Sequence, residues 1–255
     1  RGFPHFYRDV HLLQRGDPSQ KQEKMSQGFL RVLTSGNKNE AHWQQTKPEW
    51  ARTSFRRRAL ADWLVDTEHG AGQLLARVMV NRLWQHHLGR GIVRTPSDFG
   101  LQGELPTHPE LLDLLAGELI QNGWRLKPLH KQIIMSATYA QSAGFAQAKA
   151  AVDPGNRLHW RRNPRRLEAE PIRDSLLAGS GLLDTTMFGK GTLDTGMKRR
   201  SVYFQIKRSK LIPTMQLFDS PEPLVGQGTR PSTIISPQAL LFMNNGQVRE
   251  EALTL

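Results

Sequence analysis

The adjacent histidines His86 and His87 are the first residues in the chain that suggest metal or acid–base chemistry. Neighbouring side chains on a helix point about 100° apart, so this pair cannot chelate one ion as two histidines four residues apart can. No His, Asp or Glu lies four residues from either histidine, and a metal would need distant ligands such as Asp98 or His108. The spacing therefore favours polar contacts at a helix end and predicts no metal site.

Three short motifs invite an enzymatic interpretation that the surrounding sequence does not support. Residues 98–100 read Asp-Phe-Gly, but the chain lacks the glycine-rich loop, strand lysine and His-Arg-Asp that accompany this triplet in kinases. Residues 89–91 read Gly-Arg-Gly, yet no strand precedes them and the third glycine of a dinucleotide site is missing. Asn81 and Arg82 lie inside an apolar helical pattern, where a structural hydrogen-bond network is the favoured interpretation.

A basic segment, residues 156–210, carries the strongest functional signal in the composition. It contains 13 Lys and Arg against five Asp and Glu, and this excess of eight is most of the chain's formal net charge of +12. Arginines interleaved with Trp160, Tyr203 and Phe204 are typical of surfaces that bind polyanions or sugars. The candidate ligand-binding arginines in this segment are Arg161, Arg162, Arg165 and Arg208.

The same charges have a second interpretation, in which they stabilise the fold. Three acids, Glu168, Glu170 and Asp174, are close in sequence to several of the arginines. Intramolecular ion pairs would then neutralise part of the excess, and the partners on the basic side would be Arg165, Arg166 and Arg173. Part of the charge could also face acidic surfaces of other domains.

A loop rich in Pro and Gly, residues 213–231, lies within a looser constellation of charged side chains. Arg208 precedes the loop, while Asp219 and Arg230 lie inside it. Charged residues on such loops often line sites, so Arg230 joins the candidate ligand-binding residues. Equally, a long irregular segment needs such side chains to satisfy its own backbone groups.

The elements that must position these residues are mainly helices. Apolar residues recur at helical spacing over residues 57–65, 73–88, 111–120, 127–139, 167–177 and 236–243. Leu75, Met79 and Leu83 form the stripe of the second of these helices, and Thr107 with Glu110 matches a capping box before the third. We predict a mainly α, irregular helical domain with a small β-hairpin or sheet element near residues 200–208, where apolar and polar residues alternate.

The chain predicts two parts, an extended lead-in segment over residues 1–55 and a single mainly helical domain over residues 56–255. It begins without Met and ends inside a helical pattern, so we expect the domain to be truncated at its C-terminus. No apolar run approaches the roughly 20 residues of a membrane span. The absence of cysteine excludes disulfides, thiolate metal sites and covalent c-type haem attachment within this sequence.

Longer strings along the chain resemble one family. The most specific are residues 77–100, 106–113, 165–170, 207–209 and 237–240. They resemble the domain of unknown function at the C-terminal end of planctomycete cytochrome-c-type multidomain proteins. The resemblance implies partner domains in the same polypeptide, haem c in a domain upstream with no cofactor in this one, and export to the periplasm or the outside of the cell.

The resemblance implies no established activity, so the function is an expectation. We expect an accessory domain that binds an anionic ligand or a carbohydrate through its basic surface. An alternative is a polysaccharide-active hydrolase or oxidoreductase, and it requires that at least three of the motif residues His86, Asp98, His108 and Asp219 meet in one cleft. Nucleic-acid binding is the third and least favoured possibility, because charge alone supports it.

Overall fold

The computed structural model of the protein describes residues 9–46, 48–51 and 53–254. The fold is mainly α-helical, which confirms the predicted class. The chain divides into two compact units. Unit 1 comprises the described residues of 9–94 and 105–140, and unit 2 comprises residues 95–104 and 141–254, so the predicted domain over 56–255 contributes to both.

Unit 1 begins with a small antiparallel hairpin in the lead-in segment and continues with helices. Its elements are β1 (His11–Leu13), β2 (Lys21–Lys24), α1 (Arg56–Val65), α2 (Gly72–Leu88), α3 (Pro109–Gln121), α4 (Leu126–Ile134) and α5 (Ala137–Ala140). In the hairpin, His11 pairs with Lys24 and Leu13 with Lys21. Among the described residues, the sheet therefore lies in the lead-in segment and not near residues 200–208.

Helices α2, α3 and α4 pack against one another and form the core of unit 1. The buried face of α2 is marked by Val80, Trp84 and Leu88, four residues apart. The stripe predicted at Leu75, Met79 and Leu83 is half-buried, so it is not the most deeply buried side of α2. Because α2 is apolar on more than one side, its periodicity does not select which side faces the core.

The start of α3 differs from the predicted capping box. The helix begins at Pro109, and its N-cap position is His108, whose side chain makes no capping bond. The Thr107 hydroxyl donates to the carbonyl oxygen of Ile92 at 3.2 Å, and Thr107 lies one residue before the N-cap position. A proline at the first helical position needs no cap for its own nitrogen, since it carries no N–H.

Unit 2 contains shorter helices joined by long irregular segments. Its helices are α6 (Gln147–Val152), α7 (Ala169–Gly179), α8 (Pro213–Leu217), α9 (Ser236–Asn244) and α10 (Gly246–Leu253). Its core is a cluster that joins α7 to α8 and consists of Ala169, Ile212, Met215 and Phe218, with Phe204 packed against it. Helix α8 lies in a region for which the proline content predicts a loop. The helix can form there because Pro213 occupies its first turn, where the missing N–H is tolerated.

The strand predicted over residues 200–207 is absent from unit 2. A 3₁₀ turn at Ser201–Tyr203 is followed only by isolated bridges, one from Phe204 to Thr192 and one from Lys207 to Lys210. The alternating pattern does not form a buried face, since Val202 and Ile206 are 70% and 82% exposed. With no neighbouring strand to complete a ladder, the pattern alone cannot form a sheet.

Among the residues that the structure describes, every helix is too short or too polar to cross a bilayer.

Candidate functional site

A groove of about 760 Å³ opens on unit 2. Four segments form its walls: the first turns of α7, residues 200–207, residues 210–216 and residues 220–223. The apolar residues of the lining include Phe204, Ile212 and Met215, which also belong to the core of unit 2 or pack against it. Core packing therefore fixes the shape of the groove in advance of any ligand.

One wall of the groove contains a closely bonded ion pair. Arg230 donates to both carboxylate oxygens of Glu170, at 2.6 and 3.0 Å, and approaches Glu168 at 3.1 Å. The hydrogen bond from Arg230 lowers the pKa of Glu170, and the same bond raises the pKa of Arg230. Arg230, predicted to bind a ligand, is therefore engaged by carboxylates of its own unit.

The second carboxylate on the α7 wall, Asp174, is also bound. It accepts the backbone N–H of Ser201 at 2.7 Å and lies 3.6 Å from the Nε of Arg200 and 3.8 Å from Arg173. Of the predicted pairs within the basic segment, the structure contains the one between Arg173 and Asp174. Glu168 and Glu170 pair with Arg230 instead, and Arg166 donates to Gln238 at 2.7 Å. The two α7 carboxylates that line the groove thus have cationic neighbours from the unit itself.

Another part of the groove lining carries cations that have no ion-pair partner among the described residues. Residues 207–210, which we call the cationic turn, close with a bond from the Lys210 N–H to the Lys207 carbonyl at 3.0 Å. Lys207, Arg208 and Lys210 are all exposed, and none forms an ion pair with a described residue. Sequence reasoning selected Arg208 but missed the two lysines, although three cations within four residues were a usable signal.

The remaining predicted arginines lie elsewhere in unit 2. The Arg161 guanidinium stacks over the rings of Phe145 and Trp160, at 5.4 and 5.0 Å from their centres. Arg161 and Arg162 are half-buried and Arg165 is exposed. None of these three lines the groove, and of the predicted set only Arg230 does, while Arg208 lies in the cationic turn between the lining residues Lys207 and Lys210.

The four residues proposed for acid–base chemistry are divided between the units. His86, near the end of α2, and His108, at the start of α3, belong to unit 1. Asp98 and Asp219 belong to unit 2, where each binds its own loop. Asp98 accepts the N–H of residue 100 at 2.8 Å, while Asp219 accepts the N–H and the hydroxyl of Thr233 at 2.7 and 2.8 Å. Their convergence in one cleft stays a prediction.

Two other polar side chains of α2, Asn81 and His87, form hydrogen bonds within unit 1. The side chain of Asn81, which is fully buried, donates to the Val93 carbonyl at 2.9 Å and accepts the Val93 N–H at 2.8 Å, and this confirms the predicted structural network. His87 meets His130 of α4, with 2.7 Å between Nε2 and Nδ1. Within the described part of the chain, no group of three His, Cys, Asp or Glu side chains is arranged to hold a metal ion.

Comparison with known proteins places the chain in a family without an assigned activity. No curated protein and no solved structure matches the chain. A family model described as PSD1, protein of unknown function (DUF1553), matches residues 56–255 and so begins at the first residue of α1. That match covers most of the 255 residues and includes the groove and the cationic turn. The chain therefore belongs to the PSD1 family.

Proposed function

We propose that unit 2 binds an anionic ligand in its groove, with the charged groups of the ligand against the cationic turn. The observation that carries this proposal is the contrast between two parts of the groove lining, the α7 wall and the cationic turn. On the α7 side, Glu170 and Asp174 have cationic partners. At the turn, Lys207 and Lys210 have no acidic partner among the described residues, and Glu222 is the only acid in the described lining without one.

The ligand class that fits both chemistries is an acidic saccharide, sulfated or carboxylated. Its C–H ring faces would lie on the apolar lining at Phe204 and Met215, while its anionic groups would reach the cationic turn. Exposed lysine and arginine side chains bind sulfate and carboxylate through charge-assisted hydrogen bonds. The preformed lining reduces the ordering cost of binding, because few groups have to move.

The chemistry of the groove supports binding more than hydrolysis. A glycosidase needs one carboxyl group that stays protonated and donates to the leaving oxygen. The hydrogen bond from Arg230 lowers the pKa of Glu170, which opposes the protonated state that such a donor needs. We therefore assign no reaction to the groove.

The setting that we propose for this activity comes from the sequence resemblance. The chain would act as an accessory domain of an exported, haem-linked multidomain protein, with the other domains of the polypeptide as its partners. The haem c would belong to a domain upstream. In that setting the domain would meet acidic polysaccharides outside the cytoplasm, and this is a further reason to favour them over nucleic acid.

The proposal is tested by measuring the affinity of the whole chain for a heparin-derived hexasaccharide, for a hexamer of galacturonate and for a 12-nucleotide single-stranded DNA. The test variant is Lys207→Glu/Arg208→Glu/Lys210→Glu. The matched control, Lys149→Glu/Lys190→Glu/Arg249→Glu, makes the same charge change at exposed positions of unit 2 that do not line the groove. We expect one of the two saccharides to bind the wild type. The test variant should bind that saccharide at least about tenfold more weakly, a loss of about 1.4 kcal/mol, and the control should bind it nearly as well as the wild type.

Three results would contradict the proposal. Equal losses in the test and control variants would mean that only net charge matters. A loss confined to Arg161→Glu/Arg162→Glu/Arg165→Glu would place the ligand elsewhere on unit 2. Tighter binding of the DNA than of either saccharide, again dependent on the cationic turn, would favour nucleic acid.

A further inference from the structure

Unit 1 contains a second concave surface, which differs in chemistry from the groove of unit 2. Two adjoining cavities of about 370 and 330 Å³ share Met25, Ser26, Gln27 and Arg56, so they form one continuous cleft beside the first turn of α1. We call it the α1 cleft. Most of its polar lining consists of side-chain amides and hydroxyls, contributed by Ser26, Gln27, Gln44, Gln45 and Ser54.

The three glutamines of the α1 cleft are held through their nitrogens. Gln27 donates to the Arg56 carbonyl at 2.8 Å, Gln45 to a carboxylate oxygen of Asp62 at 3.0 Å, and Gln44 to the Gln27 carbonyl at 3.4 Å. Their amide oxygens receive no hydrogen bond from a described residue. The cleft therefore presents three acceptors whose orientation is already restricted by the bonds of the same amide groups.

The charges of the α1 cleft are few. Lys24 is neutralised by Asp9 at 2.8 Å, whereas Arg56 and Arg57 form no ion pair with a described residue. The two guanidinium groups supply hydrogen-bond donors, and the three amide oxygens supply acceptors. This combination of donors, acceptors and hydroxyls matches the hydroxyl groups of a neutral ligand, each of which can both donate and accept.

An aromatic residue in strained backbone completes the α1 cleft. Phe55, which lines the cleft just before α1, has φ of 57° and ψ of 2°. This left-handed conformation suits glycine and is unfavourable for an aromatic residue, and such outliers cluster at functional sites. An aromatic ring in a cleft of amides and hydroxyls can pack against the C–H face of a sugar.

From these contacts we propose that the α1 cleft binds a neutral saccharide chain. The amide oxygens and Arg56 would share the hydrogen bonds of vicinal hydroxyls, and Phe55 would contact a ring face. The proposal does not depend on the function assigned to unit 2, since the residues and the ligand chemistry are different. The turn variant Lys207→Glu/Arg208→Glu/Lys210→Glu should accordingly bind the neutral saccharide as the wild type does.

The test is isothermal titration of the whole chain with cellohexaose, xylohexaose and mannohexaose. We expect at least one hexasaccharide to bind, with an affinity that changes less than about twofold between low and high salt, because no ion pair forms. Gln44→Ala should weaken it at least about fivefold. The control, Gln22→Ala, alters an exposed amide outside the cleft and should leave the affinity unchanged.

Phe55→Gly separates a binding role from a structural one. Glycine accepts the left-handed backbone, so this variant should keep or raise the Tm of the protein. Its affinity for the saccharide should fall at least about tenfold, because the ring that contacts the sugar is gone. Failure of all three hexasaccharides to bind would overturn the proposal. So would binding that Gln44→Ala leaves unchanged, or a Phe55→Gly variant that loses Tm or that binds as tightly as the wild type.

Discussion

Unit 1 and unit 2 stabilise their irregular segments with different side chains. In unit 1, the lead-in segment packs on α1 through a cluster of buried aromatic residues that includes Trp43 and Trp63. Phe29 stacks on Trp63 with 5.2 Å between ring centres and meets Trp43 edge to face at 5.6 Å. Unit 2 instead holds the segment after α7 with arginines, which donate to backbone carbonyl oxygens.

Arg173 and Arg199 are the clearest examples in unit 2. Arg173, only 6% exposed, donates to the carbonyls of Met197 and Arg199 and covers the ring of Phe204 at 4.8 Å. Arg199 donates to the Thr186 carbonyl from two nitrogens, at 3.1 and 2.9 Å. Much of the positive charge of the basic segment is therefore structural, and the part available to a ligand is smaller than the composition suggests.

The largest effect should follow from removing Arg173. Arg173→Met leaves two carbonyl oxygens without their donor and Asp174 without its nearest buried cation, so we expect the free energy of unfolding to fall by about 3–5 kcal/mol. Urea unfolding measures this. Arg200→Met is the matched control, because Arg200 also faces Asp174 but its side chain is 63% exposed, and its loss should cost less than about 1 kcal/mol. Equal costs would show that burial does not distinguish the two arginines.

In unit 1 the corresponding test concerns Trp43. Its Nε1 donates to a carboxylate oxygen of Asp66 at 2.9 Å, and the residue is only 5% exposed. Trp43→Phe keeps an aromatic ring but removes this bond and some volume, so the free energy of unfolding should fall by about 2 kcal/mol. Trp50→Phe changes a tryptophan that is 81% exposed and should have almost no effect. If both variants unfold alike, the aromatic cluster does not hold the lead-in segment.

The smallest effect concerns pH and the Arg230–Glu170 pair. Because the pKa of Glu170 is lowered from its ordinary value of 4.5 in the folded protein, the pair stabilises the fold above that value. This stabilisation should be lost as the pH falls through the folded pKa. Glu170→Gln should therefore unfold about 1 kcal/mol more easily than the wild type at pH 7, and the difference should disappear in acid. A difference that stays constant from pH 7 to pH 3 would contradict this.

Local sequence patterns predicted the helices well and the positions of charged partners poorly. Helix α1 and the body of α7 followed from helical apolar spacing, while α7 begins at Ala169, two residues later than predicted. The strand over residues 200–207 failed because a strand also needs a partner, and the sequence does not state whether one is near. Similarly, Glu170 binds Arg230, 60 residues away, and no short motif indicates so distant a pairing.

For the candidate sites as well, the sequence does not indicate which distant side chains meet in the fold. Arg208 was selected from charge, but its distinction from Arg161 depends on neighbouring rings that only the folded chain brings together. The α1 cleft had no sequence signal, because glutamines and serines are common on surfaces and Gln27 and Gln44 are distant from Arg56 in the chain. The positive φ of Phe55 is likewise visible only in the structure.

The central claim is that the ligand of unit 2 contacts the groove and its cationic turn, while the other arginines serve the fold. Backbone amide shifts from a ¹H–¹⁵N NMR titration with the heparin-derived hexasaccharide test it most directly. We predict that the amides that move lie mainly in residues 204–216, which include the turn and the wall leading into α8. Shifts concentrated in residues 156–166 instead would contradict the claim.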